Sequence, residues 1–229
     1  MRGACRLLAT GVLLAALTAC GSTTTADPGQ LLRDAKKSID SAPSVHFTLT
    51  SANVTGAGPL ITGGQGDAHR PSSFAGSLTV LASGFTVTVD VVSVGGVFYA
   101  RTPLGSGGFD KTDPATYGFG DPGQLLDPNH GLSSLLSSCT GPANTDGDRL
   151  NGEQLDEVSC SIAGTLVAAL LTSSDSTQAV KATIGVDSST HELRRVVLVG
   201  PFFDRTHPST FTDVLDKYGE NVSITPPAG

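Results

Sequence analysis

Four cysteines and five histidines are the residues of this 229-residue chain best suited to do chemistry, and their spacing sorts them by task. Cys20 closes the run Leu17-Thr18-Ala19-Cys20-Gly21, which has the form of a bacterial lipobox: small residues before a cysteine whose sulfur receives a diacylglyceryl group. Ahead of it lie Arg2 and Arg6 and an apolar stretch from Leu7 to Leu17, too short for a bilayer core that needs about 20 residues. Together these read as a lipoprotein signal peptide over residues 1–19. Cleavage there removes Cys5 and makes Cys20 the N-terminus, expected to carry covalent diacylglyceryl and N-acyl chains and no other cofactor. Several acyl chains hold a protein on a membrane durably where one holds only marginally. Export into an oxidising compartment leaves Cys139 and Cys160 as a candidate disulfide. Closing that loop would contribute about 3 kcal/mol through the lost entropy of the unfolded chain. Two separate buried thiols, packed as small hydrophobes, are the alternative.

The histidines, His46, His69, His130, His191 and His207, are too widely spaced to form a local ligand pair. No G-x-S-x-G elbow, P-loop, H-E-x-x-H or Rossmann glycine fingerprint occurs. Asn144, Asp146, Asp148 and Glu153 crowd one stretch, but the glycine an EF-hand loop needs falls on Arg149 and its last ligand on Leu155, so a solvated turn explains them. Gly63-Gly64-Gln65-Gly66-Asp67 lacks the lysine and following helix of a phosphate cradle and reads as a loop or bulge. No catalytic residue and no metal site is assigned. A hydrolase whose triad meets only in space stays as a separate reading.

The elements that must position any site are those of one β-rich domain. With 38% hydrophobic and 15% charged residues the chain is too apolar for disorder, and a net charge of −7 with no Lys/Arg cluster excludes nucleic acid as a partner. The 28 Gly and 13 Pro suit short strands joined by turns. Residues 20–27 form a polar tether after the lipidated cysteine, and residues 28–229 a single domain. Pro28 to Ser41 predicts a helix, with Leu31, Leu32, Ala35 and Ile39 on one face. Strands are predicted at Val45 to Thr50, Ile61 to His69, Phe74 to Val80, Phe85 to Val91 and Val97 to Arg101, the last pair turning at Gly95-Gly96. Gly105 to Gly120 reads as loop, Asp121 to Leu136 as two short helices broken at Asp127-Pro128, and Thr140 to Asp148 as a polar turn. Leu150 to Ser161 reads as a strand and Ile162 to Leu171 as an apolar helix. Strands at Val180 to Val186, Leu193 to Val199, Phe211 to Tyr218 and Val222 to Ile224 complete the sheet.

Beyond the lipobox, the chain resembles the actinobacterial LppX, LprA, LprF and LprG lipoprotein family. The residues that carry the resemblance are Leu31-Leu32 with Ala35, Ser44-Val45-His46-Phe47, Leu125-Leu126-Asp127-Pro128 with Gly131-Leu132, Leu193-Arg194-Arg195, and Asp216-Lys217-Tyr218-Gly219 with Val222. They are spread over almost the whole mature chain. Gly185 stands where members often carry Trp, and the Cys139 and Cys160 pair departs from the family pattern. The resemblance implies an α+β fold: an antiparallel β half-barrel, a U-shaped sheet, with helices on its concave face enclosing an apolar cavity. It also implies that the cavity takes up acyl chains of envelope lipids or glycolipids and carries or presents them.

Candidates for the cavity wall are Phe74, Leu78 and Val80 on one strand and Phe85, Val87, Val89 and Val91 on the next. The helical segments add Leu135, Leu136, Leu166 and Leu170. Core packing explains each such row equally well, because periodicity finds an inward face and not a void. On the cavity reading, Val89→Trp blocks loading and leaves the fold intact. The expectation is a non-enzymatic, monomeric lipoprotein anchored on the outer face of the plasma membrane, with envelope lipids and a membrane lipid exporter as partners. An envelope scaffold with a filled core and no lipid cargo is the alternative.

Overall fold

Asp27 caps the first helix, α1 (Pro28–Ser41), by accepting a hydrogen bond from the Gln30 backbone N–H at 2.7 Å, and Pro28 occupies the first turn, where its missing N–H costs nothing. The structure, a computed structural model, describes residues 26–228 except 57, 58, 104, 106 and 173. The signal segment and Cys20 therefore lie outside the described residues. The predicted apolar face of α1, Leu31, Leu32, Ala35 and Ile39, is buried. At its far end Arg70 donates from Nε to the Ala42 carbonyl (2.9 Å) and from Nη2 to that of Ile39 (3.1 Å), which also accepts the Ala42 N–H, so the guanidinium caps the end of the helix.

Twelve strands among the described residues form one antiparallel sheet. The first meander comprises β1 (Ser44–Ala52), β2 (Leu60–His69), β3 (Ser73–Ala82), β4 (Phe85–Val94), β5 (Val97–Arg101) and β6 (Asp110–Lys111). The second comprises β7 (Thr140–Asn144), β8 (Asp148–Leu150), β9 (Glu153–Ile162), β10 (Val180–Asp187), β11 (Leu193–Gly200) and β12 (Ser209–Asp216). The spatial order is β6-β5-β4-β3-β2-β1-β12-β11-β10-β9-β7, with β8 also paired to β9. The two meanders are thus joined where the first strand meets the last, in a register running from His46 opposite Asp216 to Ala52 opposite Thr210. Between the meanders lie 3-10 turns at Pro114–Tyr117 and Pro122–Gln124 and helix α2 (Leu132–Ser137); α3 (Gly164–Leu170) follows β9. α1 packs on α2 and on the β9 to β11 side, while Pro122–Gln124 packs on β2 to β4. The result is the expected α+β architecture of an open antiparallel sheet with helices against it.

Several segments differ from the sequence-based expectation, among them Gly105 to Gly120, expected as loop, which contains β6. Residues 140–148, expected as a polar turn, contain β7 and the start of β8. Every β7 residue is exposed, so this edge strand carries no alternation and is held by its ladder to β9. Cys139, bonded to Cys160 of β9 with an S–S distance of 2.09 Å, fixes its start. Val222 to Ile224, expected to complete the sheet, is not a strand. After β12 the chain turns through Lys217 and Gly219, both at positive φ, and crosses the end of β1. There Gly219 N–H donates to the Ser44 carbonyl and Ser44 Oγ to that of Glu220.

The turn after β10 is built on Asp187. Its carboxylate accepts from the backbone N–H groups of Ser189 and Thr190, at 2.8 and 2.7 Å, and from both hydroxyls. Those bonds, the Ser189 hydroxyl first, hold its pKa down to about 2. Asp148, one of the crowded acidic residues, is likewise engaged within the protein: it accepts from Arg195, which also binds Glu157. Among the described residues no His/Cys/Asp/Glu group could hold a metal.

Candidate functional site

Residues directly opposite in an antiparallel ladder share a face, so the register identifies what lies inside. Phe47 and Leu49 of β1 face Leu215 and Asp213 of β12 on one side, and Gly66 and Gly64 of β2 on the other. Across β12, Asp213 also pairs with Val196 of β11. On this inner face, along the seam between the two meanders, there is a cavity. It measures about 140 Å³ for the centre of a water-sized sphere, and about 940 Å³ when all space among the lining atoms and at the open mouth is included. On the first measure a water needs only about 10–15 Å³, so the space takes far more than a single solvent molecule.

The floor is Phe47, Leu49, Phe74, Leu78, Leu198 and Phe211 from four strands. The roof comes from the segment Phe119–Pro122 with Leu125 and Leu132, and from Val167, Leu170 and Leu171 at α3. Gly64 and Gly66 keep the floor bare. A Cβ at Gly66 would stand 2.5 Å from both the Phe74 ring and the Ala75 carbonyl, and one at Gly64 2.9 Å from Leu78 Cδ2 and 2.7 Å from the Ser77 carbonyl. Without Cβ atoms there, Phe74 and Leu78 lie down over the middle of β2, and Ile61 near the start of that strand adds its side chain to the wall. The glycine run expected as a loop or bulge is therefore mid-strand, with a bulge between Ile61 and Gly63.

Three polar residues border the space. Gln65 is exposed and, standing between Gly64 and Gly66, belongs to the opposite face of β2, so it offers main chain. Asp121 is satisfied: it accepts from Ser93 Oγ at 2.5 Å and from Gly123 N–H at 2.9 Å. Asp213 has no hydrogen-bond partner among the described residues, and burial pushes its pKa up to about 8. The surface it retains borders the cavity. Among the described residues no serine, cysteine, histidine, lysine or arginine lines the space, so its polar residues are two carboxylic acids and one amide, with no cation.

Of the residues read from the sequence as cavity wall, Phe74, Leu78 and Leu170 line it. Val80, Val89, Val91, Leu135 and Leu136 are buried in the core and are not part of its lining, and Val87 packs half-buried against that core. Phe85 is 74% and Leu166 38% exposed. The reason is lateral position: β4 lies three strands from the seam, where the Pro122–Gln124 turn and the edge-to-face pair Phe98 and Phe119 pack the inner face closed. Leu49, Val196 and Asp213, by contrast, line the cavity and were missed. Asp213 carries a signal that could have found it, an acid in the inward slot of the alternation Phe211, Asp213, Leu215.

A sequence match to the LppX_LprAFG lipoprotein family spans residues 27–224, from the cap of α1 to past β12. The chain belongs to this family. Over 97% of its length it is 27% identical to proteins from Mycobacterium tuberculosis and Mycobacterium bovis named lipoarabinomannan carrier protein LprG, covering 96% of them. A Mycobacterium leprae protein of the same name is 24% identical over 93% of the chain and 90% of its own length. Among solved structures, LprF from Mycobacterium bovis superposes with a TM-score of 0.70 at 19% identity, covering 88% of this chain and 97% of that one. Mycobacterium tuberculosis LppX superposes at 0.62 with 16% identity, covering 87% and 100%. The LppX_LprAFG sheet is thus shared at identities where few side chains are held in common.

Proposed function

We propose that this LppX_LprAFG lipoprotein is a non-enzymatic carrier that shelters acyl chains of envelope lipids or glycolipids in the seam cavity and carries or presents them outside the plasma membrane. The observation that carries this reading is the cavity itself, a hollow between sheet and helices with a mostly apolar lining and no cation among its described residues. The naming of relatives as lipoarabinomannan carriers supports a glycolipid cargo. The energetics suit a carrier. Sheltering a chain of about sixteen carbons from water gains on the order of 12 kcal/mol, while transfer from a bilayer is near neutral, so cargo can both load and leave. Anchoring follows from acylation of Cys20, which keeps the mouth close to the membrane that supplies lipid. A membrane lipid exporter is the partner such a carrier would serve, and a monomer suffices.

The test is native mass spectrometry of the Cys20→Ala protein purified from its own envelope. Copurifying lipid, or uptake of offered glycolipid, is the expected result. An empty protein that also refuses offered glycolipid overturns carriage and leaves an envelope scaffold.

A further inference from the structure

The seam cavity holds one polar side chain whose presence packing does not explain. Asp213 stands in the inward row of β12 between Phe211 and Leu215, opposite Leu49 on one side and Val196 on the other. Its backbone lies in a strand paired on both sides, so its own ladder offers the carboxyl nothing. The second acid, Asp121, already has its donors. An unpartnered carboxyl among apolar groups costs free energy that a leucine at the same position would not.

We propose that Asp213 is the recognition group of the cavity and that the cargo it selects bears an uncharged hydrogen-bonding group, the ester carbonyl or hydroxyl of a glycerol-type backbone, at the depth of this carboxyl. This rests on the carriage reading above and names the part of the lipid that the cavity reads. The chemistry of the wall decides between partners. A protonated carboxyl donates one hydrogen bond and accepts others, which suits esters and hydroxyls. Burial keeps the carboxyl protonated near neutral pH. A phosphate brought to the same depth would find no lysine, arginine or histidine among the described lining residues to balance it, so charged head groups stay at the mouth. Selection is therefore for the linkage region of the lipid, with the chains covered by Phe47, Leu49, Leu78 and Leu198.

The experiment measures equilibrium partition into the Cys20→Ala protein from phosphatidylcholine vesicles doped with either dioleoylglycerol or squalene, a hydrocarbon with no polar group. Asp213→Leu is expected to lower dioleoylglycerol uptake about tenfold, the effect of losing one hydrogen bond in apolar surroundings, and to leave squalene uptake unchanged or raised. Asp213→Asn, which keeps a donor and an acceptor, is expected to restore dioleoylglycerol uptake. Thermal melts establish that each variant is folded. Equal dioleoylglycerol uptake by the wild type and folded Asp213→Leu overturns the proposal, leaving a carboxyl that is merely hydrated. A parallel fall in squalene uptake overturns it as well, since the change then acts on the cavity as a whole. A wild type that takes up neither probe overturns the carriage reading on which the proposal stands.

Discussion

Single residues in this chain act through what surrounds them, and the two most perturbed buried acids show the contrast. Asp187 is held ionised by four donors in a turn, whereas Asp213 is held protonated by an apolar wall. The consequence for stability has a definite sign. An unfolded Asp titrates near 4, so from there up to about 8 the folded state keeps a proton on Asp213 that the unfolded state releases. Stability contributed at this site therefore falls as pH rises through that window. Asp213→Asn removes the dependence, so the variant is expected to match the wild type near pH 4 and to exceed it increasingly towards pH 8. Urea unfolding at several pH values measures this, and parallel profiles would show that the acid titrates normally. Legibility at this scale was uneven for a physical reason. Cys139 and Cys160 were readable because the signal-peptide reading leaves just these two cysteines to pair, and they are bonded. Asp213 was not, because apolar periodicity assigns a face and passes over the one residue that violates it.

Elements were legible wherever burial alternates. α1 has the predicted bounds, and β1 to β5 and β9 to β12 match within a few residues, because each presents one apolar face to a single core. β7 escaped because both its faces are wet, and Val222 to Ile224 misled because alternation persists after the ladder has ended. The middle of β2 is the most informative element. Gly64 and Gly66 lower the local strand propensity yet face inward, and they let Phe74 and Leu78 settle on the sheet. Gly66→Val would drive a side chain into the Phe74 ring and the Ala75 carbonyl, both 2.5 Å from its Cβ. Since backbone must move, a loss of about 1–3 kcal/mol is expected, the usual cost of over-packing. Thermal or urea unfolding measures it, and an unchanged midpoint would show that β2 and β3 can separate there without cost.

For the whole molecule, the hollow sits where the chain's two halves meet. Its floor needs β1 beside β12, a pairing across more than 150 residues, and its roof needs Leu125, Leu132 and Leu170 brought in from separate segments. None of these long-range choices leaves a periodic trace, which is why the fold and the family could be read while the candidate wall ran on from Phe74 and Leu78, which line the cavity, into β4, which does not. The same geometry says where to block it. Val89, the position that strand periodicity suggests for a bulky plug, is buried and stands outside the cavity lining, so Val89→Trp is expected to over-pack and destabilise the fold instead of closing the cavity. Leu49 is half-buried, lines the space, and stands opposite Gly64, which contributes no side chain to compete with it. An indole at that position can extend into the void. Leu49→Trp is therefore expected to keep its melting temperature within a few degrees of the wild type, given that about 1 kcal/mol shifts a domain of this size by roughly 2–4 °C. It is also expected to lose most lipid uptake in the vesicle partition assay. A folded Leu49→Trp protein that loads lipid as well as the wild type would place the cargo away from the seam.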